Sequence, residues 1–352
     1  MSLELSKPRS SARQRLSSTR VSSTTTLSTS SKTPPSRASS SKVTLNTETT
    51  GSPFISSGYW TRRRLQVQWD KATREAGSAS VMIVNEVDGE EVPGVPEDFR
   101  YLEYGYDWGR HAPDPNFLIG CDCVGNCGSA DSGGCCIKHI DSDPSELWGF
   151  WYDKQGLFRL GTTHMLLREC NVNCSCDETC RTRVAQKPRK IPLQVFKTSH
   201  CGWGVRPAVR VLKGTLIGLY SGVLLKRWEA DGIQGERKNY IFDLDHNKFG
   251  EEGPIQNQYS VDGYTKGNWG RFINHSCDPN MQVLPAMFDA PEIEKSYLVF
   301  VATKDIREGV ELTIDYHPNL GAPTRGKGKG KRKRRGSDAC MCSAKLCRGI
   351  RP

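Results

Sequence analysis

The sequence predicts a mainly β protein built from several small sheets and preceded by a loop-rich domain held together by metal. Two observations lead there. From residue 189 onward, short runs rich in β-branched and aromatic residues alternate with Gly-centred turns, the pattern of many short strands. Ahead of them, nine cysteines crowd into residues 121–180, a segment with little hydrophobic core of its own.

The elements follow in order. Residues 1–58 are roughly half Ser and Thr, with scattered Lys and Arg; such a stretch buries too little apolar surface to offset its ordering entropy and reads as a disordered basic tail. In the next segment, 59–118, "YWTRRRLQVQWDKATREAG" predicts a short helix with Trp60 and Trp69 packed inward. "ASVMIVNEVDG" then predicts a strand and a turn, and "VPGVPEDFRYLEYGY" an extended, proline-punctuated passage. Residues 119–188 hold the cysteine block. Across 189–320 the runs "IPLQVF", "GWGVRPAV", "GTLIGLYSGVLL", "NYIFDLD", "QYSVDG", "NMQVLPAMFD", "SYLVFVATKDI" and "VELTIDY" predict strands, and "KRWEADG" a brief helix. A Gly/Lys/Arg insert at 321–338 and a cysteine tail at 339–352 follow.

The 352 residues carry 49 Lys+Arg against 39 Asp+Glu, a net charge of +10. That charge suits a polyanionic neighbour such as nucleic acid, and equally a protein with basic tails. The opening "MSLELSKPRSSARQRL" has no apolar stretch of signal-peptide length, and no run approaches the ~20 apolar residues of a membrane span. The expected setting is a reducing compartment without a membrane, where fourteen cysteines point to metal before disulfides.

Cys121, Cys123, Cys127, Cys135 and Cys136 form one group, and Cys170, Cys174, Cys176 and Cys180 a second. Zinc takes four thiolates in a tetrahedron, and nine ligands do not divide by four. Three zincs sharing three bridging and six terminal cysteines use all nine; two separate sites with a spare, or partial disulfides, are the alternatives. The tail offers three more, Cys340, Cys342 and Cys347, spaced C-x-C-x4-C. Their open fourth position takes either water or a distant cysteine, Cys201 or Cys277. Cys277 sits in "RFINHSCDPN"; as a ligand it would clamp the tail onto that segment. The rival reading, a cysteine nucleophile, is disfavoured: His275 lies only two residues away and no cysteine-protease signature surrounds the pair.

The nine-cysteine block, "GWGV", "RFINHSCDPN", "ELTIDY" and the C-x-C-x4-C tail, in that order, resemble the pre-SET, SET and post-SET modules of the Su(var)3-9 family of histone lysine methyltransferases. The resemblance spans about residues 79–349, and "GGCC" and "WYDKQG" add to it. It implies a SET-domain fold with a knot-like C-terminal segment, a three-zinc cluster on the nine cysteines, and a fourth zinc on Cys277, Cys340, Cys342 and Cys347. It also implies transfer of methyl groups from S-adenosylmethionine (SAM) to lysine nine of the histone H3 tail in nucleosomes. Heterochromatin formation, gene silencing and a nuclear, chromatin-associated location go with that activity. By resemblance, Cys201, Gly202, Trp203 and Gly204 form the turn over which SAM lies, a place where glycines allow close backbone approach and Trp offers a flat apolar surface. Tyr240, Arg271, Phe272, Asn274 and His275 complete the cofactor site, Tyr240 and Tyr316 serve catalysis, and Ile314 and Tyr316 line the lysine channel.

Three departures from the family pattern stand out: Val223 replaces the usual Glu, Ile314 replaces an aromatic before "DY", and "CRGIRP" lacks the aromatic that often closes the channel. Ile314 offers no hydroxyl to obstruct further methylation, which points to a trimethyl product. Asp243, Asp245 and Asp262 are candidate acidic walls for a basic peptide bound as an added strand. Residues 1–58 are too polar to form the chromodomain many family members carry, so mark reading is expected to be absent or delegated to a recruiting partner. The insert "RGKGKGKRKRRG" reads as a nuclear-import signal, a DNA-phosphate contact or a solvated loop. A SET scaffold without catalysis, and methylation of a non-histone protein, are the rival functions.

Overall fold

The computed structural model describes residues 60–90, 92–127, 151–161, 166–244, 258–318 and 340–349, the last without 343 and 346. Cys135, Cys136, Asp245, the tail 1–58 and the insert 321–338 lie outside the described residues. The elements are α1 (Arg62–Glu75), β1 (Val81–Val84), β2 (Arg100–Tyr101), β3 (Tyr106–Asp107), β4 (Leu167–Arg168), β5 (Leu193–Lys197), β6 (Trp203–Pro207), β7 (Leu216–Leu219) and β8 (Gly222–Lys226). There follow α2 (Arg227–Asp231), β9 (Ile241–Asp243), β10 (Tyr259–Asp262), β11 (Lys266–Gly267), β12 (Asn274–His275), β13 (Met281–Met287), β14 (Tyr297–Ala302) and β15 (Thr313–Ile314).

Helix α1 begins at Thr61, whose side chain accepts from the Arg64 amide. Three arginines in its first turn oppose the helix dipole, so packing holds it: Leu65 and Trp69, four apart, are fully buried. Gln66 ties the helix to β1, its Nε2 donating to the Val81 carbonyl and its Oε1 accepting from the Ile83 amide, both at 2.8 Å. The Trp69 ring lies 5.0 Å from Tyr101 and 6.0 Å from Phe272, which fixes the helix against the segment leading into "NHSC".

Small sheets make up the rest. β1 runs parallel to β5, and β5 antiparallel to β6. A four-stranded sheet has the order β4-β13-β14-β7, and a second β3-β8-β10-β9. Every residue of β14, "YLVFVA", is buried, as its unbroken apolar run requires of a strand covered on both faces. The run "GTLIGLYSGVLL" divides between the two sheets at Tyr220–Ser221. Asn268 Nδ2 holds the break open by donating to the Leu219 carbonyl at 2.8 Å and to Ser221 Oγ at 3.0 Å. Gly222 permits the close crossing there: a Cβ would stand 2.5 Å from the Asp262 carbonyl oxygen. β11 and β2 form a two-stranded pair, as do β12 and β15. No described helix is long and apolar enough to cross a membrane.

Candidate active site and metal centres

Seven of the nine block cysteines are described, and their sulfurs fall into overlapping groups. Cys121, Cys170, Cys174 and Cys176 form one, Cys127, Cys170, Cys176 and Cys180 a second, and Cys121, Cys123 and Cys127 a third, each within 4.8 Å. Neighbouring sulfurs lie 3.6 Å apart for Cys121–Cys127, 3.5 Å for Cys127–Cys170 and 4.0 Å for Cys170–Cys180. A zinc tetrahedron with Zn–S of about 2.3 Å has S···S edges of about 3.8 Å, whereas a disulfide needs about 2.05 Å. These are thiols at coordination spacing, and none of the described block cysteines is in a disulfide. Cys121 links the first and third groups, Cys127 the second and third, and Cys170 and Cys176 both lie between the first and second, an overlap that suits shared thiolates better than separate four-cysteine sites. Backbone amides fix the sulfurs: Cys121 N–H donates to Cys174 Sγ at 3.3 Å, and Cys127 N–H to Cys180 Sγ at 3.4 Å.

The tail group assembles as the sequence suggested. Cys277, Cys340, Cys342 and Cys347 lie within 4.8 Å of one another, with Cys277 Sγ 3.9 Å from both Cys340 and Cys347. Cys277 thus stands where it could serve as the fourth ligand of the tail group. The parallel pair β12–β15 sets the geometry: Asn274 faces Thr313 and His275 faces Ile314, so "NHSC" and "TIDY" run side by side.

A cavity of about 500 Å³ opens beside this pair. Its wall includes Cys201, Asn274, His275 and Glu311, together with Met341 and Cys342 from the tail, so the tail site closes one side of it. Gly202, at φ +69°, makes the preceding turn, with Thr198 N–H donating to the Gly202 carbonyl at 2.7 Å. Gly204 is required by crowding: a Cβ would stand 2.5 Å from Glu311 Oε1. A cavity of this size with a few convergent polar groups suits a nucleoside-sized amino-acid ligand such as SAM.

Some of the residues expected at the cofactor do not line this cavity. Trp203 is no open platform: it is 8 % exposed, and its Nε1 donates to Glu90 Oε1 at 3.0 Å. Arg271 and Phe272 do not line the cavity. The Arg271 guanidinium stacks 4.1 Å over Tyr240 and 5.0 Å over Phe99, donating to the Gly263 and Gly94 carbonyls, while Phe272 packs towards Trp69. The reason is covalent: the 3-10 turn Trp269–Phe272 directs these side chains into the core before β12 reaches the cavity. Tyr240, half-buried, also stays off the cavity wall; burial raises its hydroxyl, partly offset by Arg271. Ile314 is 3 % exposed within the main apolar core.

Tyr316 stands beside His275, with ring centroids 5.4 Å apart. Its amide donates to His275 Nδ1 at 3.2 Å, and its hydroxyl to the Ile273 carbonyl at 2.5 Å. Burial, with Cys201, Glu311 and Tyr240 nearby, pushes that hydroxyl up to about 12. The residue as a whole is 47 % exposed, so that burial is local to the hydroxyl, held against the Ile273 carbonyl. His275 Nε2 lies 3.3 Å from Cys277 Sγ, so the histidine bridges tail thiols and tyrosine. Arg348, next to the last tail cysteine, pairs with Asp315 at 2.5 Å and donates to the His317 carbonyl at 3.0 Å.

Two residues escaped sequence reasoning. Tyr220 is buried, donates to the Tyr240 carbonyl at 2.7 Å, and shares the electrostatic neighbourhood of Tyr240, Arg271 and Tyr316. Glu311 accepts from Asn274 Nδ2 at 2.7 Å; burial raises its carboxyl and that bond partly offsets the rise. Both sit in ordinary strand-like text. Asp262 needs correcting: it is fully buried and neutralised by Arg237, at 2.6 Å from Nε, so it cannot wall an open groove. Asp243 is half-exposed but already faces Arg227 at 3.3 Å.

Residues 202–317 match the SET domain family and residues 73–183 the Pre-SET motif. The histone-lysine N-methyltransferase, H3 lysine-9 specific, of Schizosaccharomyces pombe is 35% identical over 294 residues, covering 79% of this chain and 56% of that protein. The dim-5 protein of Neurospora crassa, of the same description, is 30% identical over 278 residues, covering 72% of this chain and 83% of that one. The structure of KRYPTONITE in complex with mCHH DNA, H3(1-15) peptide and SAH superposes with a TM-score of 0.58 at 26% identity, over 77% of this chain and 51% of that one. The chain spans little more than half the length of the first of these relatives. With both modules in order and most of the Neurospora protein covered, the chain belongs to the Su(var)3-9 family of SET-domain histone lysine methyltransferases.

Proposed function

We propose that the chain is a SAM-dependent protein-lysine N-methyltransferase acting on lysine nine of histone H3 in nucleosomes, up to the trimethyl state, in support of heterochromatin and gene silencing in the nucleus. The observation that carries the reading is the β12–β15 pairing, which sets Asn274 and His275 on the cavity wall and brings Cys277 and Tyr316 against His275. The described relatives and the KRYPTONITE complex with H3 peptide and SAH support it.

When bound, SAM supplies a methyl group made electrophilic by its sulfonium. The chain's own residues do the rest. Asn274 and His275 face the cofactor cavity. The acceptor lysine reacts only as the free amine, against a reference pKa of about 10.4, and a dry channel beside Tyr220, Tyr240 and Tyr316 disfavours its ammonium form. Tyr316, held protonated against the Ile273 carbonyl, orients the amine and stabilises charge as it moves; the amine proton leaves through water. Ile314 walls the channel without a hydroxyl. The peptide adds to β9, an edge strand among the described residues. Three zincs occupy the pre-SET cluster, with Cys135 and Cys136 as the remaining ligands, and one occupies the tail site. Residues 1–58 and 321–338 each hold eight Lys/Arg, against three acids in the two segments together, and contact nucleosomal DNA phosphates.

Recombinant nucleosomes incubated with the full chain and SAM, then read by peptide mass spectrometry, test this. Methylation is expected at H3 lysine nine; methylation confined to another histone lysine, or none, contradicts the proposal.

A further inference from the structure

Glu311 presents a charge to the cavity that nothing around it balances. Its carboxylate lies on the cavity wall, partly buried, and its one hydrogen-bond donor is the neutral amide of Asn274. No Lys, Arg or His comes within ion-pair distance of it among the described residues. The other charged groups of the wall are matched differently: Glu86 faces Arg206 at 3.6 Å, and Lys197 is held by Asp88 and Glu90. A partly buried carboxylate normally takes several donors or a cation, because desolvation otherwise disfavours its charge. The carboxyl is indeed raised by burial.

Two further observations say where its partner sits. Asn274 Nδ2 donates both to Glu311 at 2.7 Å and to the Trp203 carbonyl at 3.1 Å, so the carboxylate fixes the orientation of a cavity-wall amide. Asn274 directly precedes His275, whose ring lies 5.4 Å from that of Tyr316, which ties the carboxylate to the edge where methyl transfer is assigned. Gly204 admits the carboxylate at this point, since any side chain there would displace it.

We propose that Glu311 is the counter-charge for the sulfonium of SAM, and that it makes the cavity prefer the charged methyl donor over the neutral thioether left after transfer. The assignment rests on the SAM-dependent reading above. Transfer breaks the sulfur–methyl bond and forms a nitrogen–methyl bond. The bonding pair stays on sulfur, and the positive charge passes to the substrate nitrogen, which loses a proton to water. With the sulfur neutral, the attraction to Glu311 is gone, and the spent cofactor is released more readily.

Titration calorimetry of the full chain with SAM and with S-adenosylhomocysteine tests the assignment. Glu311→Gln keeps an oxygen for the Asn274 bond and removes only the charge. SAM affinity should fall by about tenfold or more, while affinity for the thioether changes by less than about twofold. Equal losses for both ligands, or no loss for either, overturn the assignment and leave the methyltransferase reading intact. A wild-type chain that binds neither ligand overturns both. Should the variant fold poorly, as judged by zinc content and melting, the wild type alone still decides. A SAM analogue with a protonated amine in place of the sulfonium should bind more tightly than the thioether, and equal binding contradicts the proposal.

Discussion

The two cysteine centres differ in where they sit. In the pre-SET block, Cys123, Cys127, Cys170, Cys176 and Cys180 are buried and form a small core of their own, in a segment whose described strands are few and short. In the tail, Cys277, Cys340, Cys342 and Cys347 are all half-exposed, and Cys342 helps wall the cavity. Among the described residues the first group supplies a core of its own, whereas the second brings two distant segments together beside His275 and Tyr316. With zinc at both, as proposed, the first metal would make the fold and the second the site.

The largest test removes a shared ligand. Cys170 belongs to two of the overlapping groups, so Cys170→Ser should release more than one equivalent of metal and unfold the block. Structural zinc contributes on the order of 10 kcal/mol or more to a small site. Metal analysis and circular dichroism would show it; loss of a single equivalent with an unchanged melt would mean separate sites.

Tyr316→Phe comes next and should leave both centres and SAM binding intact. It removes a hydroxyl bonded to the Ile273 carbonyl at the transfer centre, and a turnover loss of about a hundredfold or more is expected. The pH profile gives the sign. With its pKa raised to about 12, Tyr316 stays protonated through the range where a free tyrosine titrates, near pH 10. Turnover should therefore rise with pH as the lysine amine loses its proton, with no fall near pH 10. The stabilisation that comes with the raised pKa is complete below about pH 10 and is lost as pH climbs towards 12. A descending limb near pH 10 that vanishes in Tyr316→Phe would assign the tyrosine as a base.

The smallest effect concerns product. Ile314 is 3 % exposed, so Ile314→Tyr overpacks its site by about 1–3 kcal/mol while adding a hydroxyl. Lysine nine should then stop at lower methylation, with a melt only a few degrees lower. An Ile314→Tyr enzyme that trimethylates as freely as the wild type would reduce Ile314 to core filling.

Much of this was legible because cysteine is chemically loud. The count of nine and the C-x-C-x4-C spacing pointed to metal groups, the resemblance favoured Cys277 for the open tail position, and the described sulfurs lie close enough to hold an ion. The strand runs of 189–320 were legible too, since each alternates or is unbroken in apolar residues. What escaped depends on contacts between residues far apart in sequence. Glu311 reads as an ordinary strand acid until β15 lies beside β12, and Tyr220 as a core tyrosine until its hydroxyl meets the Tyr240 carbonyl. Asp262 was misread for the same reason: its partner Arg237 lies 25 residues back. Arg271 and Phe272 share a motif with Asn274, but a 3-10 turn aims them the other way.

The distinction between the centres meets its most direct test in Cys277→Ser, by metal analysis alongside turnover. Cys277 is the one tail ligand supplied by the SET body, within 3.9 Å of Cys340 and Cys347. The variant should lose one equivalent of zinc and nearly all methylation, while the remaining zinc and the melting transition stay in place. Full zinc content with wild-type turnover, or loss of the whole metal complement together with the fold, would contradict it.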